Sequence, residues 1–121
     1  MPKILVIDDN PNLQKLVRVN LVARGYHVLI APDGERGLKL AQLEHPNLIL
    51  LDLMMPGMSG WDVLMFLKTN QKLQKIPVII MTATVPQDQE YKFPIMRAVG
   101  CLVKPFGVDE LLRQVKQALG R

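Results

Sequence analysis

The sequence predicts an α/β protein in which a five-stranded parallel sheet carries helices on both faces. Five short apolar runs alternate along the chain with five helix-like stretches, and this βα repetition is typical of a doubly wound sheet. The apolar runs are rich in Val, Ile and Leu and lack the polar alternation of a half-exposed strand, so both of their faces should be buried. The chain has 121 residues, the length of one ordinary domain, and we assign residues 1–121 to a single unit.

Turn and cap residues separate the predicted elements. The first helix follows Asn10 and Pro11, an N-cap residue and a proline at the first helical position, and Gly25 ends it. The second helix follows the turn Pro32–Gly34 and contains Gly37, which lowers its helix propensity. The predicted strands are Lys3–Ile7, Tyr26–Ile30, Leu48–Leu51, Val78–Met81 and Cys101–Val103.

The third and last helices carry clear signals at their N-termini. Ser59 and Asp62 fit a capping box in which aspartate replaces the usual glutamate. Asp109 and Glu110 place negative charge in the first turn of the last helix, where the helix dipole favours it. The residues expected to face the sheet are Leu13, Leu16, Val17, Leu21, Leu38, Ala41, Val63, Leu64, Phe66, Leu67, Val108, Leu111, Leu112, Val115 and Leu119.

The composition favours a soluble cytoplasmic protein. The longest apolar runs have strand length, far short of a membrane span, and the N-terminus lacks the apolar region of a secretory signal. The single cysteine, Cys101, cannot form an internal disulfide, which agrees with a reducing compartment. The formal net charge is +4, but the cations are scattered, and only Lys68, Lys72 and Lys75 approach a cluster. Solvated helix faces explain this pattern better than nucleic acid binding does.

Polar residues follow four of the five predicted strands. Asp8 and Asp9 come after the first strand, Asp52 after the third, Thr82 after the fourth and Lys104 after the fifth. In an open α/β sheet, ligands bind at the carboxyl ends of the strands, and the flavodoxin-like order 2-1-3-4-5 makes the first and third strands neighbours. Three carboxylates in one crevice need neutralisation. Mg²⁺, which prefers oxygen ligands, fits them.

The remaining groups at these strand ends match a phosphoryl group. Lys104 offers a compact positive charge and Thr82 a hydroxyl donor. Asp52 is the natural nucleophile, because an aspartate carboxylate can form an acyl phosphate. Taken singly, the residues have plainer explanations: an N-cap or turn role for Asp8 and Asp9, and a hydroxyl bonded to backbone for Thr82.

Five motifs occur in a fixed order along the chain. They are Asp8-Asp9, Asp52, Met55-Pro56-Gly57-Met58-Ser59-Gly60, Thr82-Ala83 and Lys104-Pro105-Phe106. Together they resemble the receiver domain of bacterial response regulators, and the resemblance covers essentially the whole chain. It implies a phosphorelay module of a two-component system. Such a module takes a phosphoryl group from the phosphohistidine of a histidine kinase or phosphotransfer protein and relays the change to a downstream protein.

The resemblance assigns roles around the phosphoryl group. It implies that Asp52 accepts the group, that Lys104 contacts it, and that Thr82 moves towards it on activation. Thr84 matches a position that tunes how long the phosphoryl group lasts. The peptide bond before Pro105 is usually cis in this family.

The resemblance also assigns ligands to Mg²⁺. It implies that Asp9 and Asp52 bind the ion, with Asp8 acting partly through water. The backbone carbonyl of Met54 is the third protein ligand, and the Met54 side chain occupies the second of the tuning positions. The family resemblance thus agrees with the metal site expected from the strand ends.

Two positions depart from the family pattern. Cys101 stands where Tyr or Phe is usual, and cysteine cannot supply the ring rotation that accompanies the movement of the threonine hydroxyl. Pro94 falls in the segment 86–100, where a fourth helix should run, so we expect a broken or shortened helix there. Capture of the phosphoryl group is therefore expected, while its onward relay should differ from the usual route.

Several alternatives remain open at this point. One is the receiver half of a DNA-binding regulator; because nothing follows Arg121 in this chain, we expect contact with another protein rather than with nucleic acid. Another is a Mg²⁺-dependent phosphohydrolase with an aspartyl intermediate, although no acid for the leaving group stands out near Asp52. A flavin carrier is disfavoured because Asp8 and Asp9 would repel a phosphate. We expect no enzymatic activity beyond the module's own phosphorylation and dephosphorylation, no membrane contact, and a monomer or weak dimer.

Overall fold

A five-stranded parallel sheet in the order β2-β1-β3-β4-β5 forms the centre of the molecule. The structure, a computed structural model, describes residues 1–83 and 98–120. It confirms the predicted α/β class and strand order. The strands are β1 (Lys3–Ile7), β2 (His27–Ala31), β3 (Leu48–Asp52), β4 (Val78–Thr82) and β5 (Gly100–Val103), and the helices within the described ranges are α1 (Pro11–Val22), α2 (Gly34–Glu44), α3 (Gly60–Thr69) and α4 (Val108–Ala118).

Helices cover both faces of the sheet, and each face has its own apolar core. On one face α1 and α4 bury Val17, Leu21, Leu111 and Val115. On the other face α2 and α3 bury a second set of aliphatic side chains, among them Leu64. Every residue of β3 and β4 is buried, as expected for central parallel strands that are covered on both sides.

Side-chain caps begin α1 and α3 at the predicted residues. The Oδ1 atom of Asn10 accepts hydrogen bonds from the N–H groups of Asn12 and Leu13, at 2.8 and 3.2 Å. The Oγ atom of Ser59 accepts from the N–H of Asp62 at 3.3 Å and donates to the Asp62 carboxylate at 3.1 Å. Such a cap stabilises a helix by about 1 kcal/mol. At Ser59 it fixes the start of α3 shortly after the end of β3.

The bounds of four strands differ from the prediction by one residue. β2 runs over His27–Ala31, β5 begins at Gly100, and β3 and β4 extend to Asp52 and Thr82. The last two residues still pair with the neighbouring strand, whereas apolar runs alone predicted an end before them. Asp52 and Thr82 therefore hold strand positions, which fixes their side chains more firmly than a loop would.

Two residues predicted to face the sheet do not do so. Leu16 and Phe66 are 38% and 41% exposed. Each directly precedes a fully buried residue, Val17 and Leu67, and consecutive helical residues point about 100° apart. The apolar stripe predicted from spacing was therefore wider than the surface that the sheet covers.

Gly37 is buried in the middle of α2, where the sequence predicted a weakened helix. A Cβ atom at this position would lie 2.5 Å from Cδ1 of Ile7 in β1. The missing side chain thus allows α2 to lie closer to the sheet than a larger residue would permit. Close packing of α2 against β1 therefore explains why a residue of low helix propensity occupies position 37.

The predicted helix that Pro94 should interrupt lies outside the described residues. Within them, no helix combines the length and the apolar character needed to cross a bilayer.

Candidate functional site

Buried charges gather where β1, β3 and β5 end. Asp8 follows β1, Asp52 is the last residue of β3, and Lys104 follows β5. Asp8 is fully buried and Asp52 is 3% exposed. The Lys104 Nζ atom lies 3.0 Å from Oδ2 of Asp8 and 3.4 Å from Oδ2 of Asp52. One ammonium group thus contacts two buried carboxylates, as the strand ends predicted.

Backbone and amide groups hold Asp8 in place. The N–H of Asn10 donates to its Oδ1 atom at 2.8 Å, and the Gln14 side chain donates to its carbonyl oxygen at 2.6 Å. Gln14 was not among the residues predicted for the site. Its position one turn into α1 was the available signal, because a residue there can reach back to the end of β1.

The three acidic residues predicted for a metal site come together. Oxygen atoms of Asp8, Asp9 and Asp52 all lie within 4.8 Å of one another. Unlike its two neighbours, Asp9 is exposed. Lys104 can offset one of the three negative charges, so the cluster keeps an excess of negative charge and offers oxygen ligands alone. This donor set fits a hard divalent cation such as Mg²⁺.

The Asp52 carboxylate receives different partners on its two oxygens. The N–H of Met54 donates to Oδ1 at 3.0 Å, while Lys104 contacts Oδ2. Burial raises the pKa of this carboxyl group, the hydrogen bond from Met54 lowers it, the charge of Asp8 raises it, and Lys104 lowers it; the pKa stays raised overall. A cation bound beside Asp52 would lower this pKa, because positive charge favours the ionised carboxylate.

Lys104 is held at the site by its backbone as well as its side chain. Its N–H donates to the carbonyl of Thr82 at 2.7 Å, and its peptide bond to Pro105 is cis. Partial burial lowers the pKa of the Lys104 ammonium group, but the hydrogen bonds and charges of Asp8 and Asp52 outweigh that effect and raise it overall. The ammonium group therefore stays charged at neutral pH.

The residues assigned to switching and to tuning the lifetime of the phosphoryl group include Thr82, Met54 and Thr84. Thr82 ends β4, the strand between those that carry Asp52 and Lys104, and is 4% exposed. The Met54 side chain is 72% exposed and does not cover the site. Thr84 lies outside the described residues.

Gly60, the first residue of α3, lies directly against the end of β3. A Cβ atom there would overlap the carbonyl oxygen of Asp52 and the Cα atom of Leu53. The Gly60 N–H also donates to the Leu53 carbonyl at 3.0 Å. The sequence analysis quoted this glycine within a motif but assigned it no role. Its role is to let the helix begin beside Asp52.

Cys101 is half-buried on β5. Burial raises the pKa of its thiol, so a smaller fraction is ionised at a given pH than in a free thiol.

We expect iodoacetamide to alkylate Cys101 more slowly than it alkylates the free thiol of glutathione at pH 8. Mass spectrometry gives both rates, and unfolding in urea should remove the difference. A faster reaction in the folded protein would contradict this assignment.

This chain is similar in sequence to known proteins. A model of the response regulator receiver domain family matches residues 4–116. The DNA-binding dual master transcriptional regulator RpaA of Synechocystis sp. is 40% identical over 121 residues, which are 100% of this chain and 50% of RpaA. This chain thus spans about half the length of the curated relatives it matches.

Solved structures show the same fold. Chemotaxis protein CheY4 of Vibrio cholerae superimposes with a TM-score of 0.90 at 28% identity, covering 98% of this chain and 99% of that one. Response regulator protein TrrA of Thermotoga maritima, solved in complex with Mg²⁺-BeF, gives a TM-score of 0.85 at 34% identity, covering 98% and 100%. The fold and the site define a receiver module of two-component signal transduction. The chain belongs to the response regulator receiver domain family.

Proposed function

We propose that Asp52 is the phosphoacceptor of this receiver domain and that residues 1–121 act as one signalling unit. The observation that carries the proposal is the contact of Lys104 with both Asp8 and Asp52 at the carboxyl edge of the sheet. A nearly buried carboxylate at a strand end, with a cation on one oxygen, is a suitable nucleophile for phosphoryl transfer.

The proposed reaction moves one phosphoryl group. An oxygen of Asp52 attacks phosphorus, the bond from phosphorus to the donor histidine nitrogen breaks, and an acyl phosphate forms. The Lys104 ammonium group, 3.4 Å from Oδ2, is placed to offset charge on the transferring oxygens. Thr82 is the proposed hydroxyl donor to the product. The protein catalyses only its own phosphorylation and dephosphorylation.

Mg²⁺ is the proposed cofactor. Asp9 and Asp52 would bind it, Asp8 would act partly through water, and the carbonyl of Met54 would complete the protein ligands. When bound, the ion supplies positive charge that offsets the phosphoryl oxygens. The excess of negative charge that Lys104 leaves in the acidic cluster supports this assignment.

A largely apolar groove beside Lys104 supports access by a protein donor. The groove has a volume of about 520 Å³, and Leu13, Leu16, Pro105 and Phe106 line part of it. Leu16, which was expected inside, is exposed here. We propose that a histidine kinase or phosphotransfer protein contacts this groove in the cytoplasm while its phosphohistidine meets Asp52. The downstream target is proposed to be a second protein.

A second candidate is the receiver half of a DNA-binding regulator. It is favoured by the share of the relatives that this chain spans, 50% in the case of RpaA. Sequencing the transcript beyond codon 121 tests it. A continuing reading frame that encodes a DNA-binding domain would support it, and a stop codon would exclude it.

The phosphoacceptor proposal is tested with acetyl phosphate and Mg²⁺. Incubation should add one phosphoryl mass to the intact protein, as read by mass spectrometry. EDTA should prevent the gain. A protein that binds Mg²⁺ but never gains this mass would overturn the proposal.

Asp9→Ala tests the metal assignment. Because Asp9 offers one carboxylate to the ion, its loss should weaken Mg²⁺ binding about tenfold or more. Titration followed by Trp61 fluorescence measures the affinity, and isothermal calorimetry checks it without relying on the tryptophan. Asp33→Ala, which removes a carboxylate that caps α2 and is not a member of the acidic cluster, is the control. Equal affinities in the two variants would remove Asp9 from the metal site.

A further inference from the structure

The charges of the described residues are segregated along the strand direction. Carboxylates cluster at the edge where the strands end, in the acidic site and at the N-termini of α2, α3 and α4. Within residues 1–83 and 98–120, Glu44 is the one carboxylate at the opposite edge, and it pairs with Lys3 at 3.0 Å. The edge opposite Asp52 therefore has little negative charge.

Cations collect at that opposite edge, and all of them except the half-buried Lys3 are exposed. Lys3 begins β1, Arg24 lies in the turn before β2, Lys72 and Lys75 lie in the loop before β4, and Lys116 is in the last turn of α4. We call these five residues the basic pole. Apart from Lys3, none of them forms an ion pair within the part of the chain that the structure describes. Four positive charges thus have no ion-pair partner among residues 1–83 and 98–120.

The helix dipole explains only part of this arrangement. Cations are favoured at helix C-termini, which accounts for Lys116 at the end of α4. However, α1 and α2 have no basic residue in their last turns, and Arg24, Lys72 and Lys75 lie in connecting segments. Their accumulation at one edge needs another explanation.

A groove lies beside one member of the basic pole, Lys72. It lies between the C-terminal ends of α2 and α3 and has a volume of about 590 Å³. Gln42, His45 and residues 69–73, which include Lys72, line it. The Oδ1 atom of Asn70 accepts from the N–H groups of Lys72 and Leu73, which shapes the loop.

We propose that the basic pole binds an acidic segment of a protein partner through this groove. Charge complementarity with Lys72 and Lys75 favours carboxylates, and the Gln42 and Gln71 amides can donate and accept hydrogen bonds with a peptide backbone. The surface is remote from Asp52, so the partner could stay bound during phosphorylation.

Other polyanions fit this surface less well. The groove lining has one aromatic ring, that of His45, and lacks the series of rings on which successive nucleic acid bases stack. A flat anionic bilayer would leave the groove unfilled, whereas a peptide can enter it. The features of the pole therefore favour an acidic protein segment over nucleic acid or lipid.

Fluorescence anisotropy tests this proposal with a labelled glutamate-rich peptide. The double variant K72Q/K75Q should bind the peptide about tenfold more weakly than the unsubstituted chain, since each exposed ion pair contributes a few-fold at most. The control K15Q/K39Q removes the same charge from exposed positions on α1 and α2, outside the pole, and should change the affinity less than twofold. Binding should also weaken as salt is added.

Three results would each overturn the proposal. They are absence of peptide binding, equal losses of peptide affinity in the two double variants, and tighter binding to duplex DNA or phosphatidylserine vesicles than to the peptide. Labelling by acetyl phosphate is measured on the same samples. Both double variants should retain it, so a failure at the basic pole is distinguishable from a failure at Asp52.

Discussion

Asp52→Asn is expected to abolish labelling by acetyl phosphate while the protein stays folded. The amide has nearly the shape of the carboxylate and can still accept the hydrogen bond from Met54, but it is not a nucleophile for phosphorus. Intact-protein mass spectrometry should therefore show no gain of mass. Asp62→Asn, which alters a carboxylate in the first turn of α3, is the matched control and should label normally.

The same variant should show a pH-dependent gain in stability without metal. Burial keeps the pKa of Asp52 above its usual value of 3.8, so ionisation of this group opposes folding as the pH rises through the folded-state pKa. Asn carries no such charge. In EDTA, Asp52→Asn should be more stable than the parent at pH 7. The difference should shrink as the pH falls through the raised folded-state pKa, and it should be lost below the usual pKa of 3.8. A difference that grows on acidification would contradict the proposed environment of Asp52.

Gly60→Ala is expected to destabilise the fold by roughly 3 kcal/mol or more. The added Cβ would overlap the backbone of Asp52 and Leu53. A strand backbone held in a ladder on both sides cannot move aside cheaply. Urea denaturation measures the loss, and a shift of α3 away from β3 should also slow labelling of Asp52.

Two other glycines supply graded controls. At Gly37 the added methyl group would meet the side chain of Ile7, which can change rotamer, so the loss should be smaller than at Gly60. At Gly107 no heavy atom lies within 4 Å of the new Cβ, and Ala should destabilise the fold by only roughly 0.5–1 kcal/mol, the difference between Gly and Ala at an N-cap. If Gly60→Ala were no worse than Gly107→Ala, the close approach of α3 to Asp52 would be wrong.

Local sequence signals predicted where helices begin better than they predicted which side chains are buried. Asn10 and Ser59 marked helix starts correctly because a cap needs only a side chain and a few neighbouring residues. Leu16 and Phe66 were misassigned because helical spacing gives the direction of a side chain but not the extent of the surface opposite. The burial of Lys68, which donates to two loop carbonyls, had no local signal.

The site was predictable wherever topology decided it. Parallel strands place their carboxyl ends at one edge, which brought Asp8, Asp52 and Lys104 together as expected. Packing decided the rest. The burial of Asp8 beside an exposed Asp9 and the approach of Gly60 to Asp52 depend on neighbours that are distant in sequence.

Chemical trapping of the phosphorylated residue identifies the phosphoacceptor. Borohydride reduces an aspartyl phosphate to homoserine, which peptide mass spectrometry locates in the chain. After treatment with acetyl phosphate and Mg²⁺, homoserine should replace Asp52 and no other aspartate. Homoserine at Asp8 or Asp9 instead, or a phosphoryl group retained on a residue other than aspartate, would contradict the assignment of Asp52 as the phosphoacceptor.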